Sequence, residues 1–161
     1  MTLAMLCFLV GVLLSGESEA SAKTRVITDM KGRKIEVPDP LTRVALFGGP
    51  TGQISYILGA RKRLCAVSKA LKASEMLNLM DPSIQNLPAP RGASGNINME
   101  ELLLSDPQLV IAGDLDASIV EKKTRIPVAY LESSMKRGFE LLKEEMRFYG
   151  EVFQEGPRAE Q

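Results

Sequence analysis

The sequence predicts an α/β fold: a Rossmann-like parallel sheet with flanking helices, an N-terminal β-hairpin and a long C-terminal helix. Three observations predict it. From residue 43 to 131, short apolar runs alternate with helix-patterned segments, which implies parallel strands joined by right-handed crossovers. Ahead of that stretch, two segments of alternating polarity flank a turn with glycine. Beyond residue 137, apolar residues recur at the spacing of one helix face.

The 161 residues suit one domain, and 45% hydrophobic with 25% charged residues is a globular composition. Residues 3–14 form an almost unbroken apolar run, shorter than the roughly 20 residues that span a bilayer. Ala20-Ser21-Ala22 then supplies a small-x-small cleavage pattern. Residues 1–22 are therefore expected to be a secretory signal peptide, although no Lys or Arg precedes the apolar run. An N-terminal core helix is the alternative. Cys7 lacks a lipobox-like tripeptide, so no lipidation is expected there. Removing residues 1–22 takes Glu17 and Glu19 away and leaves 20 basic and 18 acidic groups, a net charge of +2. That balance gives no argument for nucleic acid or an anionic membrane. The absence of His excludes His-based metal sites and His general bases. Cys65 is the single cysteine after the leader, so no intrachain disulfide forms there, and it reads as a small buried hydrophobe.

In chain order, residues 25–29 and 33–37 are alternating strands, and Gly32 in the turn between them is able to take positive φ. Residues 43–47 form a strand that runs into the loop Gly48-Gly49-Pro50-Thr51-Gly52. A helical pattern follows to Leu58, closed by Gly59-Ala60. The glycine spacing matches neither a dinucleotide fingerprint nor a P-loop, which disfavours a nucleotide-dependent enzyme. Leu64-Cys65-Ala66-Val67 is the next strand, with Ser68 and Lys69 at its carboxyl end. Residues 70–80 are helical, with Leu71, Met76, Leu77 and Met80 as core filling. Residues 81–92 read as an irregular, Pro-rich connection. Lys69 and Arg91 are either contacts for an anionic ligand or solvated surface charges.

Asn98 caps the next helix, and Glu101 three residues on is placed to complete a capping box. Asp106-Pro107 stops that helix. Leu109-Val110-Ile111-Ala112 is a short apolar run of the kind buried on both faces of a parallel sheet. Gly113 and Asp114 then fall where open α/β sheets put ligands, at the carboxyl end of a strand. Asp114 reads equally as a cap for the following segment. Residues 118–124 form a helix capped by Ser118, and residues 126–131 a strand with Pro127 near its start. Phe139, Leu142, Met146, Tyr149 and Phe153 define one face of the last helix. Leu141, Phe148 and Val152 form a second strip beside it, and Gly156-Pro157 interrupts the pattern.

Several of these segments resemble class III periplasmic substrate-binding proteins, the solute receptors of ABC importers for iron–siderophores, haem and cobalamin. "NINMEELLLSDPQLVIAG" resembles their "N-x-E-x-L-x-x-x-x-P-D-L-V-I", and "ITDMKGRKIEVPDP" resembles their opening "T-D-x-x-G-R-x-V-x-V-P". "ILGARKRLCAVS", with Lys62 at a usually acidic position, residues 126–131 and "EEMRFYGEVFQEGPRAE" match further segments. The resemblance covers residues 25–161. After the signal peptide expected at 1–22, it implies an N-terminal substrate-binding lobe at 23–136 and the start of an inter-lobe helix at 137–161. The second lobe of the family has no counterpart here, so the sequence reads as a fragment or a half receptor. The two apolar strips of the last helix favour a fragment.

The resemblance further implies a binder rather than an enzyme, with no cofactor. It implies a metal chelate as ligand (siderophore, haem or a related complex such as cobalamin), an ABC permease of the inner membrane as partner and a periplasmic location, and the charge balance adds no nucleic acid. The ligand cleft would be lined by Gly48, Gly49, Pro50, Thr51, Ser68, Lys69, Ser94, Gly95, Gly113 and Asp114, where backbone amides and hydroxyls do much of the bonding. Cobalamin-type relatives carry aromatic rings at the loops of Ser94 and Gly113. The small residues here, and the lack of Trp, leave an iron–siderophore or haem more open. Glu100 is the family's permease-docking position; its bland reading is a carboxylate favoured by the helix dipole. The alternative function is a secreted interaction module acting through the last helix.

Overall fold

The computed structural model describes residues 23–48, 52–132 and 138–161. The expected signal peptide at 1–22 and the loop residues Gly49, Pro50 and Thr51 lie outside them. Strands β1 (Thr24–Thr28) and β2 (Lys34–Pro38) form an antiparallel hairpin in which Ile27 faces Ile35. Gly32 makes the turn at φ +75°, a region costly for any side chain. Strands β3 (Val44–Leu46), β4 (Leu64–Val67), β5 (Leu109–Ala112) and β6 (Val128–Tyr130) form a parallel sheet in the order β4-β3-β5-β6. The chain leaves β3 on one side to build β4 and returns on its other side to build β5. The direction of winding therefore reverses between β3 and β5.

Alternation along the strands divides the core in two. Val44, Leu46, Leu109 and Ile111 face one layer, whereas Ala45, Phe47, Val110 and Ala112 face the other. The first layer holds the hairpin residues Ile27 and Val37, helix α1 (Gln53–Ile57), Leu71 of α2 (Lys69–Lys72), Leu77 of α3 (Glu75–Met80) and the last long helix, α6 (Gly138–Phe153). The second holds Leu102 of α4 (Met99–Leu104) and Ala117 and Val120 of α5 (Asp114–Lys123). All four residues of β5 are fully buried, as a central parallel strand requires. A short α7 (Gly156–Ala159) follows α6, with Pro157 in its first turn.

Several local expectations change. The helix expected at 70–80 is two helices, because Ser68 caps α2 and Ser74 restarts the chain as the cap of α3. The connection at 81–92 contains a 3-10 turn over Pro82–Asn86, capped by Asp81. Asn98 caps α4 by accepting from Glu101 N at 3.1 Å, but the reciprocal half of the box is absent: Glu101 Oε1 accepts from Ala89 N at 2.9 Å. Helix α5 begins at Asp114 rather than Ser118. Gly113 is its N-cap, so Asp114 is a first-turn residue and not the cap. On α6 the buried stripe is Leu141, Glu145, Phe148, Tyr149, Val152 and Phe153, and the expected Phe139 and Leu142 are exposed. Cys65 is only half-buried, since β4 is an edge strand; burial pushes its thiol up to about 11, so it stays protonated.

Candidate ligand-binding face

Parallel strands all deliver their carboxyl ends to one edge. The ladder here continues just past the strands: Phe47 N donates to Ile111 O at 2.9 Å, Ser68 N to Leu46 O at 3.0 Å and Leu131 N to Ala112 O at 2.8 Å. Gly48, Ser68, Gly113 and Leu131 therefore lie level with one another. The winding reversal between β3 and β5 puts Gly48 and Gly113 on either side of the crevice that open α/β sheets use for ligands.

A fifth, irregular strand extends this edge. Arg91 forms a parallel bridge with Ser68 and an antiparallel one with Ile97, so residues 91–97 fold back on themselves beside β4. The tip is closed by Gly95 N donating to Gly92 O at 3.2 Å, with Gly95 at φ +88° and open space around it. Ser94 Oγ donates to Asn96 Oδ1 at 2.6 Å, leaving the hydroxyl oxygen's lone pairs to solvent. Arg91 turns inward: its Nε lies 2.5 Å from Oδ2 of Asp116, a buried carboxylate in the first turn of α5. Arg91 is thus a clamp between loop and helix rather than a solvated charge.

The hairpin closes the opposite end of the edge. The Asp29 carboxylate is buried and accepts from Lys31 N and Arg33 N, both at 2.9 Å, from Arg33 Nε at 2.7 Å and from Tyr130 N at 3.1 Å. Burial by itself would raise its pKa, but these bonds hold it below the ordinary carboxylate value. Met30 N donates to Tyr130 O at 3.2 Å, so the hairpin turn continues the sheet alongside β6. From that turn Lys31 crosses the Tyr130 ring at 4.1 Å from its centroid and pairs with Asp114. The hydrogen bond to Asp114 raises the Lys31 pKa.

The ligand candidates among the described residues are therefore brought to one edge but differ in what they offer. Gly113 is half-buried at the end of β5, whereas Gly48 is buried at the end of β3. Ser68 is buried, and its hydroxyl accepts from Leu71 N at 3.2 Å as the cap of α2. Lys69 is exposed, with its backbone N bound to Arg91 O at 2.9 Å. Ser94 and Gly95 form the tip next to β4, and Asp114 is tied to Lys31. Glu100 stands apart, exposed in the first turn of α4. Sequence reasoning missed Asp29, Lys31 and Asp116 as organisers of this edge. The signal for Asp29 was present in the Asp-x-x-Gly-Arg spacing, which sets an acceptor and a guanidinium across a glycine turn. No group of three or more His, Cys, Asp or Glu able to hold a metal ion occurs among the described residues.

No protein-family model matches the chain. By sequence it is similar to the molybdate-binding protein MolA of Haemophilus influenzae, with 26% identity over 133 residues, 81% of this chain and 38% of the relative. By fold it is similar to a periplasmic solute-binding protein from Veillonella parvula, with a TM-score of 0.74 and 21% identity over 86% of this chain and 43% of that one. MolA bound to molybdate gives a TM-score of 0.69 at 23% identity, over 84% of this chain and 48% of that one. The petrobactin-binding protein YclQ of Bacillus subtilis gives 0.68 at 15% identity, over 86% and 48%. The fold is thus that of class III periplasmic binding proteins. The chain spans less than half the length of these relatives.

Proposed function

We propose that this chain, similar over most of its length to class III periplasmic substrate-binding proteins, is the N-terminal lobe of the solute-binding component of an ABC importer. The observation that carries this reading is the carboxyl edge of the sheet. Its winding reversal lies between β3 and β5, with half-buried Gly113 and exposed Lys69 and Ser94 along it. The role is capture and delivery, not catalysis, and it places the protein in the periplasm.

Gly48, Gly49, Pro50, Thr51, Ser68, Lys69, Ser94, Gly95, Gly113 and Asp114 are the proposed ligand-bearing positions. Glu100, exposed at the start of α4, is the proposed contact for basic residues of the permease. The ligand class is an anionic metal complex. Iron chelates are the first reading: relatives include the haem-binding protein HmuT, SirA complexed with staphyloferrin B, and YclQ. Molybdate is the second, favoured by the sequence similarity to MolA. An anion suits this edge, because Lys69 is exposed on it and Lys31 is balanced by Asp114.

Calorimetric titration of the chain with ferric siderophores, haem and molybdate tests the reading. Saturable binding of one of them, weakened by Lys69→Glu, is the expected result. No heat with any of the three at millimolar concentration would overturn the ligand class and bring forward a secreted interaction module. That alternative rests on Phe139 and Leu142, which leave an apolar strip of α6 exposed.

A further inference from the structure

Glu145 sits in the middle of the buried stripe of α6. Leu141 lies one turn before it and Phe148 and Tyr149 one turn after, all buried. Glu145 itself is 2% exposed, and its Oε1 has no hydrogen-bond partner among the described residues. An ionised carboxylate in such a place is costly, so burial favours the protonated form.

Among the described residues, the elements packed around α6 place no cation on it. On the hairpin, Asp29 is engaged by Arg33, and Arg25 bonds the carbonyls of Glu151 and Val152 at the far end of the helix. Lys31 of the same turn pairs with Asp114. On α1, burial pushes the Tyr56 phenol up to about 12, so it stays neutral. On α6 itself, Arg147 pairs with Glu160 at 3.5 Å, Lys143 with Glu140 at 3.1 Å, Glu151 accepts from Thr28 N at 2.9 Å, and Glu144 and Tyr149 are the other titratable residues. The charge that acts on Glu145 is Glu132, which follows β6, and it is of the same sign.

We propose that Glu145 is a proton-operated latch for the first half of α6. Protonated, the acid lies within the apolar stripe and the helix packs on the sheet. Ionised, it is driven towards water and away from Glu132, and the start of the helix lifts. Glu144 and Phe148 of α6 line one pocket with Asp29 and Met30, and Met30 N donates to Tyr130 O at the end of β6, so the element released lies beside the hairpin end of that edge. The latch does not depend on which ligand, if any, that edge takes.

The direction with pH follows from the burial. Burial, then the Glu132 charge, move the carboxyl from 4.5 to about 7. Between those values the packed state holds a proton that the opened state releases. Packing therefore weakens as pH rises through that window and reaches its lower limit above 7.

Hydrogen exchange of the whole chain at pH 5, 6, 7 and 8, corrected for intrinsic rates, tests this. The opening constant of amides 141–146 is expected to rise roughly fifty-fold from pH 5 to 8 and to level off above 7. Amides of β5 are expected to stay unchanged, and Glu145→Gln to give a flat profile for α6. Glu132→Gln is expected to move the midpoint down. A flat profile in the unmodified chain, or the same rise in Glu145→Gln, would overturn the latch, and an unmoved midpoint in Glu132→Gln would remove Glu132 from it. Carboxyl NMR on the unmodified chain gives a second reading that needs no variant: a Glu145 midpoint near 7 supports the latch, and one near 4.5 overturns it.

Discussion

Asp29 Oδ2 accepts a hydrogen bond from the backbone N–H of Tyr130 at 3.1 Å, joining residues 101 apart in sequence. The same carboxylate organises the hairpin turn and holds Arg33. A two-stranded hairpin has little stability alone. Here it is tied to β6 by one buried charge, and through Lys31 it reaches Asp114 at the proposed ligand edge.

Asp29→Ala is expected to destabilise the chain by roughly 2–4 kcal/mol, since it strips the acceptor from three backbone donors and leaves Arg33 with Glu121 as its remaining carboxylate. Urea unfolding of both proteins measures it. The pH dependence has a definite sign. The folded pKa lies below the ordinary 3.8, so the contribution is present above that value and is lost as pH falls through the folded pKa. Asp29→Asn is expected to flatten that acid-side slope.

Arg91 and Asp116 are both largely buried and 2.5 Å apart, so they are expected to couple. A double-mutant cycle with Arg91→Ala and Asp116→Ala should give about 1–3 kcal/mol, more than an exposed pair. The Arg91 variant should also loosen residues 91–97, read as faster amide exchange at Gly92 and Gly95. Additive single effects would show that the clamp is only apparent.

Gly95→Ala meets no steric obstacle, yet its φ of +88° is one that a side chain adopts at a cost of about 1 kcal/mol. The expected result is a small fall in Tm together with a loss of ligand affinity, because the tip must shift to relieve the strain. An unchanged affinity would place the ligand elsewhere on the edge.

Much of this fold was legible in the sequence because local signals and global fold agree. The Gly32 turn, the continuous apolar run of β5, the Asn98 cap and the alternation of elements each read directly. What escaped notice was non-local. Ser118 has the chemistry of a cap, but helix α5 starts earlier, at Asp114 with Gly113 as its cap, where the end of β5 fixes the entry. The pairing of Lys31 with Asp114 spans 83 residues and leaves no local trace. Glu145 carries no such signal, because a helical stripe read by polarity assigns a carboxylate to water. That assignment also displaced the expected face of α6 towards Phe139 and Leu142.

Glu100 is exposed and forms no ion pair among the described residues. Glu100→Arg in the assembled importer is expected to slow transport roughly tenfold while leaving ligand affinity unchanged. Undiminished transport would remove Glu100 from the permease contact and leave it as a first-turn carboxylate favoured by the α4 dipole.

The most direct measurement is backbone NMR of the chain titrated with the ligand that calorimetry selects. Shift changes are expected to gather at the carboxyl edge: Gly48, Lys69, Ser94, Gly95, Gly113 and Asp114. Changes gathered instead at the amino ends of the strands, around Arg43, Arg63 and Gln108, or along α6, would contradict a ligand face at the winding reversal.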